Sequence, residues 1–235
     1  MGTAVSSFII AIDGPSGTGK STVARTLARR LDAGYLDTGA MYRIVTLAMQ
    51  RAGIDANDES GVADHLPLVQ FSSPIDPDEQ RHALNGVDVS AEIRSWAVTL
   101  AVTPVSANPA VREWLRERQQ QLAHSGRMVV EGRDIGTVIA PDAQLKVYLT
   151  ADESERARRR HRQNGSDADA DADAGTAHDL DTVRADLQRR DTGDSTRAAA
   201  PLRMADDAVP IDTSAMTADE VADRLIELAA QRGVR

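Results

Sequence analysis

Apolar runs and helical stretches alternate along this chain. Phe8 begins an apolar run that ends at Asp13, and beyond the glycine-rich loop that follows, Val23, Leu27 and Leu31 share one face of a helix over residues 20–31. Short runs of this kind, separated by helices, are typical of the buried strands of a parallel sheet. The core strands that the pattern predicts cover residues 8–13, 34–37, 128–131, 145–149 and 208–212. The predicted fold class is therefore α/β, with a five-stranded parallel sheet flanked by helices.

Capping residues define two more helices. Asn108 followed by Pro109 supplies an N-cap and a proline at the first helical position, and Gly126 lies just beyond the end of that helix. Thr217 and Glu220 form a predicted capping box at the start of the last helix. The residues that we expect to face inward from the helix after Pro109 are Val111, Trp114, Leu115, Arg118 and Leu122.

Residues 68–89 interrupt this alternation with strand-like pieces. Residues 81–84 and 87–89 flank Asn85-Gly86, which is a preferred sequence for a two-residue hairpin turn. An antiparallel patch inside an α/β chain predicts an inserted subdomain, which we place at residues 64–106.

Residues 152–176 form a second interruption. Residues 152–162 are rich in arginine and have no apolar face, and alternating aspartate and alanine follow at residues 167–173. We therefore predict that neither part belongs to the core. The aspartate run has no glycine turn of the kind that metal-binding loops use, so we interpret it as a flexible, solvated insertion.

Composition excludes several classes of function. The chain has no cysteine, which rules out disulfides and thiolate metal sites and is typical of a reducing cytoplasm. Its net charge of −9 argues against duplex DNA as the main partner, and the apolar run at residues 8–12 is too short to cross a membrane. We expect a cytoplasmic monomer that binds small molecules, with no nucleic-acid and no membrane partner.

A glycine-rich loop carries the first candidate chemistry. The segment GPSGTGKS at residues 14–21 matches G-x-x-x-x-G-K-[ST] completely, between a predicted strand and a predicted helix. Its glycines let backbone N–H groups turn toward phosphates, and the helix N-terminus adds its dipole. Lys20 can reach the β- and γ-phosphates of ATP, and the Ser21 hydroxyl can ligate Mg²⁺. The predicted ATP-binding residues of this P-loop are Gly14, Pro15, Ser16, Gly17, Thr18, Gly19, Lys20, Ser21 and Thr22.

The sequence lacks the features of two other P-loop classes. Lysine occurs only at positions 20 and 146, so there is no guanine-reading N-K-x-D. The nearest sequence to the Asp-Glu strand end of mechanical ATPases is Val129-Val130-Glu131-Gly132. Arginines do occur near predicted strand ends, where doubly wound sheets bind ligands. Their placement favours phosphoryl transfer to a second, anionic substrate.

Three further segments combine arginine with hydroxyl or carboxylate groups. They are LDTGAMYR at residues 36–43, GRD at residues 132–134 and RRDTGDSTRA at residues 189–198. Each segment alone is explained as readily by a surface salt bridge. If they converge on the P-loop, they form a clamp for a phosphate ester and for the group attached to it.

The order of the motifs carries a family resemblance. IDGPSGTGKST, LDTGAMYR, VEGRDIGTVIAPDA and DSTRAAAPL occur in this order, and the chain from Phe8 onward resembles the bacterial cytidylate kinases. The resemblance implies a P-loop nucleoside monophosphate (NMP) kinase fold with a three-stranded antiparallel insert. It also implies a core of residues 1–63, 107–151 and 177–235, an NMP-binding insert at residues 64–106, and a helical lid at residues 152–176.

The same resemblance implies the reaction. The expected activity is transfer of the γ-phosphoryl group of ATP to CMP and dCMP with Mg²⁺ as cofactor. Lys20, Arg133 and Arg190 are the implied catalytic residues, because they would neutralise the transferred charge. One or more of the lid arginines are implied to reach the ATP phosphates, with a solvated helix as the alternative for each. The candidates are Arg156, Arg158, Arg159 and Arg160, of which Arg156 and Arg160 are the predicted ATP-binding residues.

The resemblance also implies which residues bind the acceptor. Asp194 matches the carboxylate that bonds the ribose hydroxyls, and Arg43 matches an arginine that grips the acceptor phosphate. Four further residues match the set that recognises cytosine, whose edge offers both donors and acceptors. They are the hydroxyl of Thr103, the carboxylate of Asp134 and the guanidinium groups of Arg112 and Arg197. The complete implied CMP-binding set is Thr38, Arg43, Thr103, Arg112, Arg133, Asp134, Arg190, Asp194 and Arg197.

Two other functions stay open at this point. One is a different small-molecule P-loop kinase, acting on another nucleoside monophosphate or of the shikimate type. The other is a nucleotide-binding switch or regulatory ATPase, which would hydrolyse ATP without an acceptor; the acceptor-side arginines count against it. The sequence also leaves open the preference among CMP, dCMP and UMP, and the role of Glu131.

Overall fold

The computed structural model describes residues 7–168 and 179–234, and for residues 164–168 it describes the backbone alone. The first elements are β1 (Phe8–Asp13), α1 (Lys20–Arg30), β2 (Gly34–Asp37), α2 (Thr38–Arg51) and α3 (Glu59–His65). Next come β3 (Phe71–Ser72), β4 (Ala83–Leu84), β5 (Val87–Asp88) and α4 (Trp96–Ala107). The chain continues with α5 (Pro109–Ala123), β6 (Arg127–Gly132), β7 (Leu145–Thr150), α6 (Glu153–Ala168), α7 (Leu180–Thr196), β8 (Val209–Asp212) and α8 (Ala218–Gln231).

Five parallel strands form the central sheet in the order β2-β6-β1-β7-β8. Ile10 in the middle of β1 lies opposite both Val129 and Leu145. The predicted core strands are confirmed, each to within one residue at either end. Because all five strands are parallel, their carboxyl ends meet at one edge of the sheet, which is where such folds bind ligands.

Both faces of this sheet are buried. Ile9 and Ala11 of β1 belong to an apolar cluster that includes most of α2, whereas Ile10 and Ile12 belong to a second cluster with α1 and α8. Successive side chains of a strand point to opposite faces. A strand covered on both faces is therefore apolar along most of its length, which explains the uninterrupted apolar run at residues 8–12 before Asp13.

The helix caps agree with the sequence. The Asn108 side chain accepts a hydrogen bond from the backbone N–H of Ala110 at 2.9 Å, and Pro109 is the first residue of α5. Thr217 and Glu220 form the reciprocal capping box of α8. Both predicted helix starts are confirmed.

The predicted inward face of α5 is partly wrong. Leu115 is buried as expected, but Arg118 is exposed, and its guanidinium carbon lies 4.7 Å from the centre of the Phe71 ring. Arg112 and Gln119 are buried instead. The buried face of α5 is therefore turned by about one residue from the predicted face. Arg112 can be buried there because it pairs with Asp134 in a cleft, and a pattern of apolar residues does not reveal such a partner.

The insert is a three-stranded antiparallel sheet in the order β3-β4-β5. Asn85 and Gly86 both have positive φ, 51° and 78°, as the predicted hairpin turn requires. Phe71, Leu84 and Ile93 of the insert are buried in the same apolar cluster as α2. The insert therefore shares the core of the sheet and does not build one of its own.

Helix α6 lies outside both large clusters. Its Ala157 is fully buried against Val183 and Leu187 of α7, which form a small separate cluster. The prediction that this arginine-rich stretch avoids the main core is confirmed, although one small side chain does pack. The aspartate–alanine run at residues 167–173 lies outside the described residues, apart from the helical backbone of its first two residues.

Within the part of the chain that the structure describes, no helix combines the length and the apolar character needed to cross a bilayer.

Candidate functional site

A cleft of about 380 Å³ lies at the carboxyl edge of the sheet, between the P-loop, the start of α2 and the loop after β6. Helices α4, α5, α6 and α7 also contribute to its walls. Every residue predicted for the site lines this cleft except Gly14, Pro15, Thr18 and Arg156. The three arginine-containing segments therefore converge on the P-loop, as the interpretation of a clamp requires.

The P-loop needs glycine where other backbone approaches it. Gly14 and Gly17 have φ values of 144° and 82°. A Cβ atom on Gly14 would lie 2.2 Å from the Leu149 carbonyl oxygen, and one on Gly17 would lie 2.8 Å from the Arg156 carbonyl oxygen. Any larger residue would force these segments apart and deform the loop.

Lys20 is held across the loop. Its Nζ donates a hydrogen bond to the Pro15 carbonyl oxygen at 2.8 Å. Burial and the neighbouring Arg133 guanidinium lower the pKa of Lys20, although the carboxylates of Glu131 and Asp13 oppose this. A buried cation beside another cation is stabilised by an anion. The electrostatics of this position therefore favour a phosphate ligand.

Oxygen donors for a metal ion lie at the end of β6. Tyr35 donates a hydrogen bond to the Glu131 carboxylate at 2.5 Å, and Ser21 hydrogen-bonds to the same carboxylate. A magnesium ion bound with a nucleotide takes one or two protein oxygens and fills its octahedron with phosphate oxygens and water. Ser21 with Glu131 behind it fits such an ion. Among the described residues no group of three or more His, Asp or Glu side chains is placed to hold a metal.

The acceptor side of the cleft is a chain of alternating charges. Arg112 forms a buried ion pair with Asp134. Arg197 lies 3.8 Å from Asp134 and 3.6 Å from Asp194, and Arg133 Nε donates to Asp194 at 2.9 Å. Buried charges are tolerated when they are paired and hydrogen-bonded. The network fixes five side chains from α5, α7 and the loop after β6 in one arrangement.

Arg43 of α2 has a different environment. It is buried, and its Nη1 donates to the Ile93 carbonyl oxygen at 2.9 Å and to the Thr99 hydroxyl at 3.0 Å. Burial and the Arg190 guanidinium lower the pKa of Arg43, and burial together with Arg133 lowers that of Arg190. This part of the cleft holds positive charge in excess, which is suited to a second phosphate.

Two predicted hydroxyl groups complete the acceptor side. Thr38 Oγ1 donates to the Glu131 carbonyl oxygen at 2.7 Å, so its position is fixed by the end of β6. The Thr103 hydroxyl on α4 accepts a hydrogen bond from Arg189 at 3.4 Å. Both face the cleft from helices that begin or end at its rim.

Asp13 was missed by the sequence analysis. Its two carboxylate oxygens accept the backbone N–H groups of Ile135 and Gly136, each at 2.8 Å. These bonds fix the loop that carries Arg133 and Asp134. Burial raises the pKa of Asp13 to about 6, although the two hydrogen bonds lower it. An acidic residue at the end of an otherwise apolar strand was the signal that could have indicated a role.

The lid arginines take different positions. Arg160 lines the cleft. Arg156 lies below the P-loop, where it donates to the Ser16 carbonyl oxygen at 3.2 Å and forms an ion pair with Asp191. Of the two predicted lid arginines, Arg160 lines the cleft and Arg156 does not.

Arg159 also lines the cleft; it was among the candidate lid arginines but not one of the two predicted to bind ATP. Its Nη2 donates to the Thr213 carbonyl oxygen at 2.7 Å and its Nη1 to the Thr213 hydroxyl at 3.0 Å. These bonds tie α6 to the loop after β8. Four consecutive or nearly consecutive arginines in the sequence gave no means of deciding which one faces inward.

The sequence of this chain is similar to those of known proteins over nearly its whole length. A family model described as cytidylate kinase matches residues 10–231. The cytidylate kinase of Rhodococcus opacus (strain B4) is 53% identical over 228 residues, which are 97% of this chain and 96% of that protein. The cytidylate kinase of Mycobacterium leprae (strain Br4923) is 51% identical over 226 residues, covering 96% of each chain.

Solved structures resemble the fold more distantly. An uncharacterized protein from Eubacterium ventriosum ATCC 27560 matches with a TM-score of 0.50 and 12% sequence identity, over 96% of this chain and 99% of that one. At this identity the match supports the fold alone.

Proposed function

Since this chain belongs to the cytidylate kinase family, we propose that it transfers the γ-phosphoryl group of ATP to the 5′-phosphate of CMP and of dCMP. The products are ADP and CDP or dCDP. The observation that carries the proposal is the meeting, in one cleft, of a complete P-loop and a network of arginines and carboxylates. A protein that only bound or hydrolysed ATP would need no such second set of charges.

The acceptor supplies its own nucleophile. An oxygen of the 5′-phosphate is anionic at neutral pH, so no side chain has to remove a proton. In agreement with this, none of the described residues that line the cleft is a histidine. Catalysis rests on holding the two phosphates in line and on neutralising the charge that moves between them, which Lys20, Arg133 and Arg190 do.

The buried charge network distinguishes cytosine from other bases. Cytosine presents an amino donor, a ring-nitrogen acceptor and a carbonyl acceptor. Asp134 provides an acceptor for the amino group, and Arg112 and Arg197 provide donors for the acceptors, with the Thr103 hydroxyl beside them. Asp194 bonds the ribose hydroxyls. Because these charges are already paired with one another, they are held in place before the substrate arrives.

Magnesium is the proposed cofactor. When bound with ATP it neutralises phosphate charge and orients the β- and γ-phosphates. The Ser21 hydroxyl would be its protein ligand, and Glu131 would accept hydrogen bonds from water around it. Tyr35 keeps the Glu131 carboxylate in place for this purpose.

The division of the chain follows from the same proposal. Residues 64–106 bind the acceptor, residues 152–176 close over ATP as a lid, and the remaining residues form the core. Closure excludes water, which would otherwise compete as an acceptor. We propose that the protein works as a cytoplasmic monomer whose partners are its nucleotide substrates.

An acceptor panel tests the proposed function. ADP formation from Mg·ATP is measured with CMP, dCMP, UMP, AMP, GMP and shikimate offered separately, and with no acceptor. We expect turnover with CMP and dCMP and little with AMP, GMP or shikimate. Equal ADP formation without an acceptor would refute the kinase assignment, and turnover with AMP or shikimate alone would indicate a different P-loop kinase.

Two lysine variants provide the matched control. Lys20→Met should lower kcat at least about a hundredfold, because the transferred phosphate loses its cation. Lys146→Met removes the other lysine, whose ion pair with Asp207 lies outside the cleft, and should keep the activity. Equal loss in both variants would contradict the assigned role of Lys20.

A further inference from the structure

His82 is a buried histidine of the insert that none of the motifs includes. It lies just before β4, and 1% of its surface is exposed. Its Nδ1 lies 3.1 Å from the Ser73 hydroxyl oxygen, and that hydroxyl can donate to the ring or accept from it. Its Nε2 is also buried, and no hydrogen-bond partner for it lies among the described residues. The ring is therefore satisfied at one nitrogen only.

A neutral ring fits this environment better than a protonated one. In the neutral imidazole one nitrogen carries a hydrogen and the other accepts, whereas both nitrogens of the cation are donors. Protonation of His82 would leave a charged N–H group buried at Nε2 without an acceptor, which costs more than an unpaired neutral group. The insert can remove this cost by moving His82 toward water.

The charges around His82 are mixed. Asp37 at the end of β2, Asp88 of β5 and Arg94 of the 3₁₀ helix before α4 all face it. Burial lowers the pKa of His82 from 6.5 and Arg94 adds to this effect, whereas Asp37 and Asp88 oppose it. Both carboxylates also face an arginine, Asp37 at 3.7 Å from Arg94 and Asp88 at 3.3 Å from Arg81. Because the unfolded chain binds the proton more readily than the folded insert, the insert loses stability as the pH falls below 6.5.

Three consecutive hydrogen bonds connect His82 to the cleft. The Val89 backbone N–H donates to the His82 carbonyl oxygen at 2.8 Å, and the Ile93 N–H donates to the Val89 carbonyl oxygen at 2.9 Å. Arg43 Nη1 then donates to the Ile93 carbonyl oxygen at 2.9 Å. Val89 and Ile93 are buried in the apolar core, so this path has little freedom to deform. A displacement of His82 therefore moves the carbonyl group that holds the Arg43 guanidinium.

We propose that His82 is a positioning residue for Arg43, and that it holds this arginine in place only while its own ring is neutral. Acidification then weakens the binding of the acceptor nucleotide and leaves the binding of ATP unchanged. The inference rests on the proposed function, in which Arg43 belongs to the CMP-binding set, and extends it by making the insert sensitive to pH.

The pH dependence of CMP binding tests the inference. The dissociation constant of CMP is measured by calorimetry at about pH 7.5 and about pH 5.5 for the wild type and for His82→Asn. Asparagine does not titrate in this range, and its amide can occupy the place of Nδ1 beside the Ser73 hydroxyl. The phosphate of CMP itself titrates at about pH 6. The quantity compared is therefore the fold-loss of affinity on acidification, to which the phosphate contributes equally in both proteins.

We expect this fold-loss to be at least about threefold larger in the wild type than in His82→Asn. The fold-loss for ATP should be the same in both proteins, because the P-loop is not part of the path from His82 to Arg43. His124→Asn is the matched control. His124 is 46% exposed and pairs with Asp142 outside the cleft, so this variant should keep the fold-loss of the wild type. An equal fold-loss for CMP in the wild type and in His82→Asn would overturn the inference.

A titration of the wild type provides a test that needs no variant. Coupling between two sites is reciprocal, so CMP must lower the pKa of His82 if protonation of His82 weakens CMP binding. The Cε1–H resonance of His82 is followed by NMR between about pH 5 and about pH 8, with and without saturating CMP. We expect CMP to move the inflection to lower pH. If the wild type neither bound nor phosphorylated CMP, the proposed function would fail and the inference with it, whereas CMP turnover with an unmoved His82 inflection would overturn the inference alone.

Discussion

Replacement of Asp13 by asparagine should have two separate effects. It should remove a pH-dependent loss of stability, and it should impair the function of the loop after β6. Asp13 is 4% exposed, and burial raises its pKa from 3.8 to about 6. In the unfolded chain the carboxyl group ionises at its ordinary pKa. The folded protein therefore binds a proton more tightly than the unfolded chain between these two values, and its stability falls as the pH rises through that window.

The size of the effect follows from the two pKa values. At neutral pH, burying the ionised carboxylate costs about 3 kcal/mol relative to burying the neutral acid. This cost grows as the pH rises, and about 1.4 kcal/mol of it develops between about pH 5 and pH 7.5. Asparagine cannot ionise, so Asp13→Asn lacks this dependence. The coulombic neighbours of Asp13, which are Asp134 and Lys20, are present in both proteins.

The assay is urea unfolding of wild type and Asp13→Asn at these two pH values, followed by tryptophan fluorescence. The difference in the free energy of unfolding should move by about 1.4 kcal/mol in favour of the variant at the higher pH. Asp223→Asn, which replaces a carboxylate that is 68% exposed, should show no such change. Identical pH dependence in wild type and Asp13→Asn would refute the reasoning.

The same variant should be impaired in function. An amide oxygen can accept one backbone N–H, but the amide NH₂ group would face the other, because both Ile135 and Gly136 donate to Asp13. The loop that carries Arg133 and Asp134 should shift. We expect KM for CMP to rise about tenfold or more while KM for ATP changes little, since a displacement of about 1 Å in a positioned group can cost a hundredfold.

Three further substitutions test the P-loop and its support, with Gly53→Ala as the control for Gly17→Ala. Tyr35→Phe removes the hydrogen bond to the buried Glu131 carboxylate and should lower the free energy of unfolding by about 1.5–3 kcal/mol; equal urea midpoints for the two proteins would contradict this. Gly17→Ala should weaken ATP binding more than tenfold, because its Cβ would lie 2.8 Å from a backbone oxygen. Gly53→Ala, which has a similar φ of 70° with nothing within 4 Å of the added atom, should cost about 1 kcal/mol of stability but no ATP affinity.

Local patterns in the sequence were sufficient to predict the strands, the helix caps and the P-loop. A strand buried on both faces must be apolar along most of its length, as β1 is over residues 8–12. The positive φ values of Gly14 and Gly17 in the P-loop are likewise a local conformation that favours glycine. The hairpin at Asn85-Gly86 was predictable for the same reason, because both residues adopt positive φ. Each of these features depends on neighbours in the chain.

Contacts between distant segments were not accessible in this way. Ile135 and Asp13 are 122 positions apart, and Tyr35 and Glu131 are 96 positions apart. No periodicity links such residues. The sequence also assigned Arg118 to the inward face of α5, because hydrophobic spacing cannot show that a cleft is ready to pair Arg112 with Asp134.

The sequence by itself determined the chemistry that this protein has available: a loop for ATP phosphates, and arginines beside carboxylates in motifs of one family. Only the tertiary structure decided which arginines line the cleft. Parallel strands bring their carboxyl ends to one edge, where Arg43, Arg133 and Arg190 line one cleft, while Arg156 hydrogen-bonds to the Ser16 carbonyl oxygen outside it. The physical reason is that a charge acts over a few ångströms of space, and the chain order of two residues does not set their distance in the folded protein.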